Sequence, residues 1–133
     1  MALVVLDASV VIAFLDPDDA HHAAAVEALT EHQHDELVIP LTVYAEILVA
    51  PFRRGADAVA EVEAFLADFA IHIEEMTPSI ARAAAQLRSA SRSLRLPDAF
   101  VLATADQLEA ERLLTGDESW TRVSGRVTLI QRA

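Results

Sequence analysis

Polar residues are nearly absent from the first fifteen positions, where only Asp7 and Ser9 interrupt the apolar run. Leu3-Val4-Val5-Leu6 shows no alternation, which suits a strand buried on both faces of a parallel sheet. Val10 to Leu15 is too apolar for a surface loop and predicts a buried helix, with Asp7 or Ser9 as its N-cap. Asp7 is thereby placed at the carboxyl end of a central strand, against a helix N-terminus. Open α/β sheets bind ligands at that edge.

The same alternation of short apolar runs and helical stripes continues to the end. Asp16-Pro17-Asp18-Asp19 is a polar turn, and Ala20 to Thr30 predicts an alanine-rich helix with Ala25, Val26 and Leu29 on one side. Glu36 to Ile39 is a second strand, ended by Pro40. Thr42 then caps a helix running through Val49, which Pro51 to Gly55 closes. Ala56 to Phe69 carries the stripe Val59, Val62, Phe65, Leu66 and Phe69. Ile71 to Glu74 alternates like a strand near a sheet edge. Thr77-Pro78 opens a helix to about Ser91, on whose surface Arg88, Arg92 and Arg95 follow i, i+4, i+7 spacing. A further helix starts at Pro97 and runs from Asp98 to about Glu109. Leu113 to Thr115 is a strand ending in Gly116-Asp117, and a turn with Glu118 and Trp120 leads to a last strand, Val127 to Ile130. Strands alternating with helices predict an α/β fold with a mainly parallel sheet of about five strands, in one domain over residues 1–133.

Composition narrows the chemistry. The 133 residues are 53% hydrophobic, enough for a core and too apolar for disorder. No apolar run approaches the roughly 18 residues of a membrane span. Without a recognisable export signal, the cytoplasm is the expected compartment. Cysteine is absent, which excludes thiolate metal sites and disulfides. Lysine is absent too, which excludes a Walker A loop or a Schiff base. The net charge of −11 argues against nucleic acid, but it is unevenly spread. Residues 1–76 hold 15 acids and 2 arginines, whereas residues 77–133 hold 6 acids and 8 arginines.

Four acids stand where acids are costly or informative. Asp7 and Asp117 both end apolar strands and precede a helical turn, so each reads as an N-cap or as a site residue. Asp98 lies in the first turn of a helix beside Pro97, where an acid complements the helix dipole or serves a site. Glu46 lies mid-helix with Thr42, Val43, Val49 and Ala50 as same-face neighbours. It is either a paired or metal-bound carboxylate, or an acid at the margin of the stripe reaching solvent or an arginine. Two carboxylates about 4 Å apart repel by roughly 4 kcal/mol at a near-surface effective dielectric. Gathered together, four such groups call for a divalent cation, and oxygen-only donors suit Mg²⁺ or Mn²⁺. Ser9 and Thr115 are spaced to hydrogen-bond the carboxylates from behind. His21 and His22 point about 100° apart on a helix, a poor arrangement for one metal, and read as surface or capping residues.

Val5-Leu6-Asp7-Ala8-Ser9, Val43-Tyr44-Ala45-Glu46-Ile47, Leu96-Pro97-Asp98-Ala99 and Leu114-Thr115-Gly116-Asp117 resemble, in order and spacing, the four acidic motifs of PIN-domain nucleases. Chain size and the Asp16 to His22 segment resemble the VapC-type ribonuclease toxins of bacterial toxin–antitoxin pairs. The resemblance implies a three-layer α/β/α fold and a pocket formed by Asp7, Glu46, Asp98 and Asp117. It also implies RNA cleavage with Mg²⁺ or Mn²⁺, a homodimer, and silencing by a cognate antitoxin. A basic antitoxin segment would complement the acids. Gly116 departs from the family, which often has a larger polar residue there, and Trp120 reads as core packing. Arg88, Arg92 and Arg95 are either a phosphate-binding face or a solvated one.

Three alternatives remain. An aspartyl phosphatase needs a second acid two residues after the first, where this chain has Ser9, and a lysine it lacks. A receiver-type domain fails on lysine as well. A non-catalytic module of the same fold, acting as an antitoxin-bound co-repressor, would not need four intact acids.

Overall fold

Leu3–Leu6 forms strand β1 at the centre of a five-stranded sheet, with Val4, Val5 and Leu6 fully buried. The computed structural model describes residues 1–131; Arg132 and Ala133, the end of the 1–133 span expected for the domain, lie outside the described residues. Strands β2 (Glu36–Pro40), β3 (His72–Glu74), β4 (Arg112–Thr115) and β5 (Val127–Leu129) complete the sheet. Their order is β3-β2-β1-β4-β5, and every neighbouring pair is parallel. An unbroken apolar run suits β1 because parallel strands are covered on both faces.

Among the described residues six helices provide the cover: α1 (Ala8–Leu15), α2 (His22–Glu31), α3 (Leu41–Arg54), α4 (Ala56–Asp68), α5 (Pro78–Ala90) and α6 (Leu96–Gln107). Right-handed crossovers put α1 to α4 on one face and α5 and α6 on the other. The packing agrees, with α1 against α2 and α3, α3 against α4, and α5 against α6. Phe14, Phe65 and Phe69 meet at centroid distances of 5.0–5.4 Å and tie α1 to α4. Trp120 packs in the core, 2% exposed, within a 3₁₀ turn at Glu118–Arg122. No helix among the described residues is long and apolar enough to cross a membrane.

The chain winds from β1 outward to β3, then returns across the sheet to β4 and β5. The reversal point therefore lies between the carboxyl ends of β1 and β4. This is where a doubly wound sheet opens a crevice.

Several local expectations change. Thr42 does not cap α3: the cap position is Pro40, without a side-chain bond, and the Thr42 hydroxyl is buried without a partner among the described residues. The helix also runs past Pro51, whose ring is buried, to Arg54. Val26 faces outward, 37% exposed, while Ala24, Ala25 and Leu29 form the buried side of α2. The Arg88-Arg92-Arg95 spacing is not helical, because α5 stops at Ala90 and Ser91 is extended. Thr77 caps α5 as its sequence predicts, accepting from the Ile80 N–H at 3.2 Å.

Helices α4 and α6 end on Ala70 and Glu109, both in left-handed backbone (φ 51° and 52°). The following amides close the turn, Ile71 N–H on Leu66 O at 2.8 Å and Ala110 N–H on Ala105 O at 3.0 Å. Such a C′ position favours glycine. Ala70→Gly should therefore raise the unfolding free energy by about 1 kcal/mol, measured by urea denaturation. A loss of stability would contradict the left-handed cap.

Candidate active site

Asp7 is the first residue past β1, and its amide still donates to Leu114 O of β4 at 3.0 Å. The extended backbone there makes it the N-cap of α1, with Oδ1 accepting from the Ala8 N–H at 2.8 Å. Oδ2 accepts two hydroxyls, Ser9 Oγ and Thr115 Oγ1, each at 2.8 Å. Each hydroxyl in turn accepts a backbone amide, Gly116 N–H on Ser9 Oγ and Asp117 N–H on Thr115 Oγ1, both at 3.0 Å. The incoming amides aim both hydroxyl protons at the carboxylate. Four residues of the β4 exit and the β1 exit are thus joined through one oxygen.

Asp7 is only 9% exposed. Burial pushes its pKa above the ordinary carboxyl range against the pull of the Ser9, Thr115 and Ala8 hydrogen bonds, and the charge of Asp98 adds to the rise. Glu46 behaves similarly for a different mixture of causes. Partial desolvation raises it first, then the charges of Asp7 and Asp98, while Arg95 draws it down. Its place on α3 corrects one expectation: the buried face is Val43, Ile47 and Pro51, and Glu46 is exposed together with Val49 and Ala50. It reaches the site from the helix margin. Asp98, in the first turn of α6, is half-buried and lies 3.4 Å from Arg95 Nε.

Asp7, Glu46 and Asp98 are therefore near enough for their charges to act across the crevice. The Asp117 carboxylate does not turn the same way. It is exposed and caps the 3₁₀ turn, its Oδ1 accepting from Ser119 N–H at 2.9 Å and Ser119 Oγ at 2.6 Å. Its backbone amide, rather than its carboxylate, supports Asp7. Among the described residues, no group of three or more His, Asp or Glu side chains stands close enough together to hold a metal ion. The donor chemistry nevertheless fits a hard cation. Mg²⁺ is commonly held by one or two carboxylates with retained waters, and Asp7 Oδ1 keeps acceptor capacity beyond its single bond to Ala8.

Arg88 and Arg92 are exposed on and just after the end of α5, and Arg88 Nη1 lies 3.5 Å from Ser91 O. Only Arg95 reaches the acids. Sequence reasoning missed that pairing, although an arginine three residues before Asp98 at a helix start was the signal for it. It also missed the amides of Gly116 and Asp117, which no side-chain pattern reveals. His22 Nδ1 lies 2.8 Å from Ala13 O, a structural contact, and His21 lies 3.8 Å from Asp19.

The raised Asp7 carboxyl has a consequence for stability. The folded state holds this proton more tightly than the unfolded chain, whose ordinary value is 3.8. Its contribution is full below 3.8 and is lost as pH rises through the folded-state value. Asp7→Asn removes that loss. In EDTA, the variant's stability relative to wild type should be greater at pH 7 than at pH 4, measured by urea denaturation. The constant cost of altering one acceptor cancels between the two pH values. An equal difference at both would contradict the buried charge.

The family model for the PIN domain matches residues 4–126. Among solved structures, a chain of a toxin–antitoxin complex from Klebsiella pneumoniae superposes with a TM-score of 0.81 at 22% identity, covering 98% of this chain and 99% of its own. VapC20 of Mycobacterium tuberculosis, a sarcin–ricin-loop-cleaving toxin, superposes at 0.76 with 19% identity, over 98% and 99% of the two chains. FitAcB of Neisseria gonorrhoeae gives 0.76 at 19% identity, over 97% of each. No curated protein sequence matches at a significant level. At these identities the structural likeness is one of fold, while the family match spans nearly the whole sequence: the chain belongs to the PIN domain family.

Proposed function

We propose that this protein is a metal-dependent endoribonuclease and the toxin of a type II toxin–antitoxin pair. The observation that carries the reading is the buried Asp7 carboxylate at the reversal point of the sheet, held by two hydroxyls and near enough to Asp98 and Glu46 for their charges to interact. Support comes from the PIN family match and from neighbours in fold that are themselves toxins or chains of toxin–antitoxin complexes.

In this reading Asp7 and Asp98 would hold Mg²⁺ or Mn²⁺ and Glu46 would complete the shell, with Asp117 joining only if its carboxylate turns from Ser119 toward the ion. The chemistry such an ion supplies when bound is Lewis acidity, which makes water nucleophilic near neutral pH. The chain's own residues do the rest. Ser9 and Thr115 fix the direction of the Asp7 carboxylate. Glu46, exposed at the rim, orients the attacking water toward phosphorus, and the bond to the leaving ribose oxygen breaks. Arg95 stands beside Asp98 and is placed to meet a phosphate, with Arg88 and Arg92 further along the same exposed stretch. Local basic charge can outweigh a net charge of −11 within a Debye length of about 8 Å.

The partners follow from the same charges. The silencing antitoxin presents a basic segment to the acidic crevice, and the toxin itself is a homodimer. Purified free of its partner, the protein should cut single-stranded RNA with Mg²⁺ or Mn²⁺ and stop in EDTA. Asp98→Asn should lower the rate at least 100-fold, within the range that positioned catalytic groups contribute. Cleavage persisting undiminished in EDTA would overturn the metal-dependent reading. Antitoxin binding without any cleavage would favour the co-repressor instead.

A further inference from the structure

Beside the acidic crevice, on the Gly116 side of Asp7, lies a cleft of about 410 Å³. Ligand pockets begin at roughly 300 Å³. Ser9, whose hydroxyl holds Asp7, forms part of its lining, so the cleft opens directly onto the candidate active site. Ile12 and Ile130 supply apolar surface. Ile12 is 43% exposed on a helix whose other aliphatic residues are largely covered, which leaves an apolar wall facing solvent. Gly116 lines the cleft with bare backbone, and a side chain there would project toward Ser9 and Ile130 and fill the space.

The polar part of the lining is dominated by carboxylate acceptors. Asp19, Asp117 and Glu118 contribute carboxyl groups, and His21 an imidazole. Asp19 and Asp117 already accept bonds from His21 N–H and Ser119. Among the described residues nothing hydrogen-bonds the Glu118 carboxylate, which leaves it free to accept from a ligand. A phosphate would be repelled by three carboxylates, so the occupant is not the nucleic-acid backbone. A flat apolar body with donors along one edge satisfies both the isoleucines and the carboxylate.

We infer that this cleft receives a nucleobase of the RNA strand, next to the phosphate that is cut, and selects guanine over uracil. The inference rests on the ribonuclease reading for the identity of the strand, but the cleft's preference follows from its own chemistry. Guanine presents N1–H and the N2 amino group side by side, matching the two oxygens of one carboxylate. Uracil presents a single N–H between two carbonyls, which face a carboxylate unfavourably. A two-bond match of this kind discriminates by roughly fivefold or more in affinity. The strand's phosphates then stay outside, toward Arg95 and the metal-holding acids. The absence of a side chain at position 116 is what makes the room.

The test is a titration of the labelled protein with guanosine, adenosine, cytidine and uridine in EDTA, read as NMR shifts of the Ile12 and Ile130 methyls and the Gly116 amide. No metal and no cleavage are involved, so failure here is distinct from failure of the ribonuclease reading. Guanosine should shift these signals, and uridine should bind at least fivefold more weakly. At Gly116→Leu the added Cβ meets only ordinary contacts, 3.6 Å from Ser9 Oγ, and the backbone is not left-handed. The substitution should abolish the guanosine shifts. Should that variant fail to fold, Glu118→Gln serves in its place, since the side chain is exposed; it should bring guanosine and uridine within twofold of each other. Equal binding of guanosine and uridine by the wild type, no shift with any nucleoside, or guanosine shifts surviving in both variants would overturn the inference.

Discussion

One carboxylate oxygen joins the two halves of this fold. Asp7 Oδ2 accepts a hydroxyl hydrogen bond from each side of the reversal point, from Ser9 at the start of α1 and from Thr115 at the end of β4. Both hydroxyls are aimed by amides of the β4 exit. The strand pairing between β1 and β4 brings these groups together, and the hydrogen bonds fix what the pairing has brought. A buried carboxylate is costly, and satisfied hydrogen bonds are what make it tolerable. Here they offset only part of the cost, since the Asp7 pKa remains raised. The sheet thus carries a destabilising group at its centre, as functional sites commonly do.

The other acids add to that strain without relieving it. Glu46 and Asp98 stand on α3 and α6, which meet across the crevice; the charge of Asp98 acts on Asp7, and those of Asp7 and Asp98 act on Glu46. Among the described residues, Arg95 is the cation that reaches them, and its side chain is 78% exposed. An ion pair so open to water contributes little. Three acids against one solvated arginine leave the crevice electronegative. That bias suits a divalent cation at the acids and a basic partner at the rim.

Much of this was legible in the sequence because burial leaves a periodic trace. The apolar run before Asp7, the short strands ending at Pro40 and Thr115, and the Thr77-Pro78 helix start all follow from local patterning. What escaped has physical reasons. Pro51 reads as a helix stop, yet α3 carries it inside, with the ring buried. The ends of α4 and α6 carry no glycine signal, because Ala70 and Glu109 adopt the left-handed backbone instead. The three arginines look helical in spacing because the break at Ser91 depends on backbone conformation, not composition. At the site, residue types announced the acids, but side-chain direction did not follow: Asp117 turns to Ser119, and Glu46 reaches in from an exposed face. Direction is set by tertiary contacts that no single stretch contains.

The central claim is that Asp7 anchors a cation in this crevice. The most direct measurement is the melting temperature of wild type and Asp7→Asn, each in EDTA and in saturating Mg²⁺. A ligand stabilises only the state it binds. The account predicts a rise with Mg²⁺ in the wild type that is largely lost in the variant. Equal metal-induced shifts in the two proteins would contradict it.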